Sequence, residues 1–167
     1  MYQEHRDQSQ TIKARCAVVT LSDTRTVQTD ASGKKISDLL TAAGHAVADY
    51  QIIPDDPKRL RNLLADLLAR ADVDAILTNG GSGIARKDRT IEVVQEFFDI
   101  ALPGFGELFR MLSWSEIGSG AMLSRAVGGV ARGKLLFALP GSPAAVELAL
   151  TRLILPELGH LLHELRK

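Results

Sequence analysis

Two hydrophobic rhythms alternate along this chain. Ala14 to Leu21 (ARCAVVTL) is a short apolar, β-branched run, the pattern of a strand covered on both faces. From Ser32 to Ala43 the period lengthens: Ile36, Leu39, Leu40 and Ala43 share one helix face, and Gly44 stands where a helix commonly ends. Ala46 to Ile53 reads as a second strand. Asp55-Asp56-Pro57 then offers an N-cap carboxylate and a first-turn proline, ahead of Leu60, Leu63, Leu64, Leu67 and Leu68 at helical spacing.

The alternation continues with a strand at Ala75 to Thr78, the turn Asn79-Gly80-Gly81-Ser82-Gly83, and a helix over Thr90 to Phe98 whose inner face is Ile91, Val94, Phe97 and Phe98. Three repeats of strand and helix predict βαβ units, a parallel sheet and right-handed crossovers. Phe105 to Leu112 reads as a short helix. Arg125 to Val130 and Lys134 to Leu139 read as strands joined around Gly133, which allows a late antiparallel strand. Pro140-Gly141-Ser142-Pro143 stops the last of them and opens a helix from Ala144, and Pro156 starts a final amphipathic helix. The expected fold is a three-layer α/β sandwich around a mostly parallel sheet. Residues 1–13 form a polar arm without periodicity, and 14–167 a single domain.

Composition narrows the function more than the fold. The 167 residues include 20 Lys plus Arg against 20 Asp plus Glu, 46% apolar residues and no block of like charge, so there is no electrostatic footprint for nucleic acid or an anionic membrane. The longest uncharged stretch, Leu135 to Val146, is too short to span a bilayer and is broken by prolines. No secretory signal pattern is read, and the single cysteine, Cys16, sits in an apolar strand, so a cytoplasmic location is expected. His160 and His163 have no companion ligands, and a metal is not expected there.

In an open parallel sheet, ligands bind beyond the carboxyl ends of the strands. Those exits carry Ser22 and Asp23, then Pro54 and Asp55, then Gly80-Gly81-Ser82-Gly83 with Asp88 beyond, and finally Pro140-Gly141-Ser142. Glycines let backbone amides approach a phosphate, and a nearby carboxylate can hold a cation against it, so the combination suggests a nucleotide or phosphorylated ligand. Each piece also has a structural reading: the glycine turn as a tight connection, Asp55 and Asp88 as helix caps. The loop is neither a Walker A motif nor a GxGxxG fingerprint. Phe105, Phe109, Met111, Leu112 and Trp114 are more apolar surface than one short helix buries within a chain, so part of it is expected to face another subunit.

Several segments in this order carry a family pattern: Val19-Thr20-Leu21-Ser22-Asp23, Ile53-Pro54-Asp55, Thr78 to Gly83 with Asp88, Pro103-Gly104-Phe105-Gly106-Glu107 leading to Phe109 to Ser113, Ile117-Gly118, Ser124-Arg125-Ala126 and Pro140-Gly141-Ser142. From about Ala14 to Leu158 the chain resembles the MoaB/MogA family of molybdenum cofactor biosynthesis proteins, more closely its MoaB branch. Ser82 and Asn79 stand where the family usually has threonines.

The resemblance implies a molybdopterin-binding domain assembled as trimers or, in the MoaB branch, hexamers. It also implies adenylylation of molybdopterin by Mg-ATP with release of pyrophosphate, ahead of molybdate insertion by a molybdenum insertase. On that pattern Asp55 and Asp88 are the essential acids, with Asp88 on Mg2+ and Asp55 placing or sharing it. Ser22, Asp23 and Gly80, Gly81, Ser82 and Gly83 then take the nucleotide. Glu107, Ser113, Pro140, Gly141 and Ser142 take the pterin. Two other readings remain open on the sequence: a non-catalytic molybdopterin-binding scaffold, and a nucleotide-binding domain without pterin affinity. ATP-dependent conversion of molybdopterin separates them.

Overall fold

The computed structural model describes Ser9 and residues 11–167. Six strands make one sheet: β1 (Arg15–Leu21), β2 (Ala46–Ile53), β3 (Ala75–Asn79), β4 (Ile100–Ala101), β5 (Val127–Ala131) and β6 (Lys134–Leu139), in the order β2-β1-β3-β6-β5-β4. Strands β2, β1, β3 and β6 run parallel; β5 runs antiparallel to β6, and β4 antiparallel to β5. The late antiparallel strand is thus β5, folded back on β6 through Arg132 and Gly133, both at positive φ (49° and 73°), as a two-residue hairpin turn requires. β4 has no counterpart in the sequence pattern, because two edge residues are too few to show a period.

Among the described residues, six α-helices cover the sheet. Helices α1 (Ala31–Ala42), α4 (Pro103–Ile117), α5 (Pro143–Ala149) and α6 (Leu155–Leu165) lie on one face, and α2 (Pro57–Ala69) and α3 (Thr90–Glu96) on the other. The strands feed both layers by alternation. Cys16, Val18, Leu77 and Phe137 pack with Ile36, Leu40, Phe109, Val146 and Leu158, whereas Ala17, Val19, Ile76 and Leu136 pack with Leu60, Leu64, Leu67, Ile91 and Val94. Each such leucine or isoleucine contributes about 1.5–3 kcal/mol on burial. Cys16 is fully buried, and burial, with the Asp74 charge, pushes its thiol up to about 12.

Local chemistry sets the helix ends. Asp30 accepts the Gly33 amide at 2.9 Å as the N-cap of α1, and at the other end His45 N–H bonds Leu40 O while Gly44 N–H bonds Thr41 O, a Schellman pair. Helix α4 runs 15 residues, longer than the expected Phe105 to Leu112, and passes into a 3₁₀ segment at Gly118–Leu123. Phe109 is buried and Phe105 lies edge-on to Phe137 with ring centroids 5.0 Å apart, but Met111 and Trp114 are 60% and 63% exposed. Among the described residues no helix is long and apolar enough to cross a membrane. The polar arm expected over 1–13 lies outside the described residues at 1–8 and 10; of the rest, Ser9 is buried and Ile12 packs on the core.

From β1 the chain steps through α1 to β2, then returns through α2 past β1 to β3, so the direction of winding reverses between β1 and β3. That crevice is where open α/β sheets bind ligands. A buried polar network underlies it. Asn79 Nδ2 donates to Thr20 Oγ1 at 2.9 Å, Thr20 bonds Asp30, and Tyr50 donates to Asp30 Oδ2 at 2.5 Å. Burial alone would push the Asp30 carboxyl up. The bonds from Thr20, Tyr50 and the Gly33 amide, with the Arg25 charge, outweigh it and hold the group below the usual carboxylate range.

A folded value below that of an unfolded aspartate, near 4, means that ionised Asp30 stabilises the fold above about pH 4, and that this contribution is lost as pH falls through the folded value. Asp30→Asn is therefore expected to cost about 2 kcal/mol at neutral pH. Urea denaturation of both proteins across pH checks it: the gap between them narrows on acidification, and a gap independent of pH refutes the assignment.

Candidate functional site

Four strand exits converge above the β1–β3 crevice. At the end of β1, the Ser22 amide donates to Ile53 O at 2.9 Å, and the Ser22 hydroxyl oxygen accepts the Thr24 and Arg25 amides at 3.2 and 3.0 Å. Asp23 projects from this turn, half-exposed. Its Oδ1 accepts the Asp55 amide at 3.0 Å and its Oδ2 the Lys87 ammonium at 3.1 Å, and these two bonds, the amide first, hold its carboxyl low.

At the end of β2 the two adjacent aspartates divide their work. Asp56 is the cap of α2, accepting Lys58 and Arg59 amides at 2.8 and 3.2 Å. Asp55 makes no cap and turns inward toward the glycine loop. Burial pushes its carboxyl up, the Asp23 and Asp88 charges add to this, and Lys87 opposes them. The capping reading of Asp88 also fails: α3 has no side-chain cap, and Asp88 Oδ2 accepts the Ala85 amide at 3.1 Å across its own turn.

Between them lies the glycine loop. Gly80 (φ +91°) donates to Leu139 O at 3.2 Å, and a Cβ there would collide with the Leu21 carbonyl oxygen. Gly81 (φ +62°) accepts the Thr90 amide at 3.1 Å, and a Cβ on it would overlap Thr90 Oγ1 and sit 2.7 Å from Asp55 Oδ1. The loop is thus pressed between the exit of β1, the start of α3 and Asp55, with Ser82 buried inside it.

The fourth exit abuts the third. A Cβ on Gly141 would lie 3.2 Å from Gly80 Cα, and the Gly141 carbonyl accepts Ser32 Oγ at 2.7 Å and Arg25 at 3.1 Å. Ser142 caps α5 through the Ala145 amide at 3.2 Å. Beside it opens a groove of about 440 Å³ lined by Ser113, Glu116, Ile117, Ser142, Leu148 and Arg152 among others. Ser113 and Ser142 therefore meet in one groove. Glu107 does not join them: it points from another side of α4 into a separate cleft of about 230 Å³ with Gln95, Phe98 and Arg110. Six residues along a helix is a rotation of well over half a turn past one full turn, so Glu107 and Ser113 cannot share a face.

Two basic residues at the site carried no role in the sequence pattern. Lys87 pairs with Asp23, and Arg125, just before β5, donates to Ser82 O (3.1 Å), Gly83 O (2.6 Å), Asp88 O (3.1 Å) and Glu92 Oε1 (2.6 Å). Arg125 stands 42 residues from Gly83, and no local spacing signals such a link. Among the described residues no three histidine, cysteine, aspartate or glutamate side chains converge to cage a metal on their own.

This fold and site define a class. Residues 17–160 match the family described as "Probable molybdopterin binding domain". The chain is 53% identical over 154 residues to "Molybdenum cofactor biosynthesis protein B" of Halalkalibacterium halodurans (92% of this chain, 91% of the relative), and 50% identical over 165 residues to that of Bacillus cereus (98% and 97%). A crystal structure of a molybdenum cofactor biosynthesis protein B superposes with TM-score 0.90 at 51% identity, covering 93% of this chain and 97% of that one. The tungsten cofactor synthesizing protein MoaB from Pyrococcus furiosus follows at 0.83 and 36%, covering 93% and 98%. The chain belongs to the MoaB/MogA family of molybdenum cofactor biosynthesis proteins, on its MoaB branch.

The packing at Gly81 has a direct test. Gly81→Val forces a branched side chain into left-handed backbone against Thr90 and Asp55, and is expected to cost about 1–3 kcal/mol. Thermal unfolding that matches the parent within a degree would show that the loop has room to move.

Proposed function

We propose that the chain binds molybdopterin and adenylylates its terminal phosphate with ATP, releasing pyrophosphate, in preparation for molybdate insertion. The observation that supports this most is the contact of Gly80 with Gly141, which sets the acid-flanked glycine loop beside the groove of Ser113 and Ser142. Two ligands held there would meet end to end. An oxygen of the pterin phosphate bonds to the α-phosphorus of ATP, and the bond from that phosphorus to the pyrophosphate oxygen breaks. Both reactants are anions, so the protein must position them and neutralise their charge.

The residues divide accordingly. The loop Gly80 to Gly83 holds nucleotide phosphates through its free amides and the Ser82 hydroxyl, the Gly80 amide being committed to the Leu139 carbonyl, with Ser22 and Asp23 at the rim; Ser113, Pro140, Gly141 and Ser142 hold the pterin. Glu107 is left out of that set, because it opens onto a different cleft. Asp55 and Asp88 fit a magnesium ion. Their oxygens are hard donors, the Asp55 carboxyl is pushed up by burial and by its acidic neighbours, and Mg2+ takes only one or two carboxylates, completing its shell with water and phosphate oxygens. Bound there, the ion supplies charge neutralisation between the phosphates. The reaction belongs in the cytoplasm, and its product passes to a molybdenum insertase.

Incubating the pure protein with molybdopterin, Mg-ATP and labelled α-phosphate is expected to yield labelled adenylylated pterin. Pterin binding without label transfer would refute catalysis and leave a scaffold. Asp88→Asn and Asp55→Asn are each expected to lower turnover about a hundredfold or more while keeping the fold, the scale of losing a major electrostatic contributor. Near-normal turnover in either folded variant would refute its role.

The assembly prediction rests on α4 and the segment after it, where Leu108, Met111, Trp114, Ile117, Met122 and Leu123 form an exposed apolar surface. A closed trimer or a dimer of trimers is expected to cover it. Sedimentation equilibrium at low micromolar concentration reads the outcome, and a clean monomer would refute it.

A further inference from the structure

Trans peptide geometry turns the Arg125 contacts into a statement about the loop's other side. In a planar trans peptide the carbonyl and the following N–H point in opposite directions. The Gly81 carbonyl is held by the Thr90 amide, and the next two carbonyls, of Ser82 and Gly83, are both held by the Arg125 guanidinium. Three consecutive peptides thus have their oxygens fixed on the side of α3 and Arg125. The amides that follow them, of Ser82, Gly83 and Ile84, are turned away from those oxygens, and among the described residues none of the three finds an acceptor. Successive amides without acceptors are the arrangement that binds an anion.

Arg125 acts on the acidic arm of the site in the same way. Its third bond is to the carbonyl of Asp88, and its fourth, to Glu92, anchors the guanidinium to the first turn of α3. A planar fork of donors is what this geometry needs, since one rigid group spans three carbonyls and a carboxylate, which a lysine ammonium on a flexible stem cannot do at fixed spacing. Glu92 is itself held low, chiefly by its bond to Arg125.

We infer that Arg125 is the positioning residue of the phosphate loop, which gathers the carbonyls of Ser82, Gly83 and Asp88 so that the loop amides and the Asp88 side chain are presented to a nucleotide. This rests on the assignment of the loop to ATP phosphates made above. Arg125 is assigned no contact with substrate, since its guanidinium is turned to the loop carbonyls and Glu92. Its effect is specific to the nucleotide half of the site, since none of its partners lines the groove of Ser113 and Ser142.

The test measures Mg-ATP binding by calorimetry and the KM values for ATP and molybdopterin separately. In Arg125→Lys, which keeps the charge and loses the fork, ATP affinity is expected to fall about tenfold or more, with the molybdopterin KM within about twofold of the parent. In Arg125→Ala, added guanidinium is expected to restore part of the ATP affinity. Glu92→Ala, which removes the anchor and leaves Arg125, covers the case in which the arginine variants fail to fold; it is expected to weaken ATP binding several-fold. Parent-like ATP affinity in folded Arg125→Lys or in Glu92→Ala overturns the inference, as does an equal loss for both substrates without rescue by guanidinium. A parent protein that binds no Mg-ATP overturns the nucleotide assignment and the inference with it, whereas binding by the parent and by folded Arg125→Lys alike overturns the inference alone.

Discussion

The missing side chain at Gly80 is the constraint on which the arrangement of this site depends. Its backbone lies against the Leu21 carbonyl, donates to the Leu139 carbonyl and touches Gly141, so the exits of β1, β3 and β6 meet at one residue. Any Cβ there would push β3 away from β1 at the point where the winding of the sheet reverses. Close meeting of three exits is what makes one site from loops as far apart in the chain as Ser22 and Ser142.

Two braces hold those loops from opposite sides. Beneath, the Asn79–Thr20–Asp30–Tyr50 network ties β3, β1, α1 and β2 together, and Arg25 extends it to the Gly141 carbonyl. A carboxylate as buried as Asp30 persists because donors surround it; without them, desolvation would outweigh any gain. Above, Arg125 gathers the glycine loop and the Asp88 turn. Between the braces, the Asp23 and Asp88 charges both bear on Asp55, with the Lys87 ammonium the nearby compensation. Such a cluster is costly on its own, and only a positive charge placed among the carboxylates would offset the cost.

The layout also orders the chemistry. The glycine loop, with its acids, faces one end of the crevice, and the Ser113–Ser142 groove adjoins it through Gly141. Helix α4 contributes to both faces of this design: Ser113 and Phe109 turn inward, and Met111, Trp114 and Ile117 turn out. With apolar residues on both sides, the helix is only weakly amphipathic in sequence, and its periodicity shows no more of it than Phe105 to Leu112. Gly106, buried against the Ala126 carbonyl, lets the helix begin close to the sheet.

Much of the fold is legible in the residues because local physics decides it. The apolar run Ala14 to Leu21 reads as a covered strand, the leucine stripe of α2 follows a cap carboxylate and the first-turn Pro57, and Gly44 closes α1. The strand exits that carry Asp23, Asp55, Gly80 to Gly83 and Gly141 follow from those elements and from the rule that parallel sheets bind at their carboxyl edge. What the sequence leaves undecided are choices between neighbours and across distance. Asp55 and Asp56 are both candidate caps ahead of Pro57, and the folded chain uses Asp56 as the cap while Asp55 turns toward Gly81. Helix phase separates Glu107 from Ser113, and the 42 residues between Gly83 and Arg125 close only when β5 folds back along β6. Periodicity records which face of an element is buried; what that face meets is settled by the packing of elements that the chain brings together from far apart.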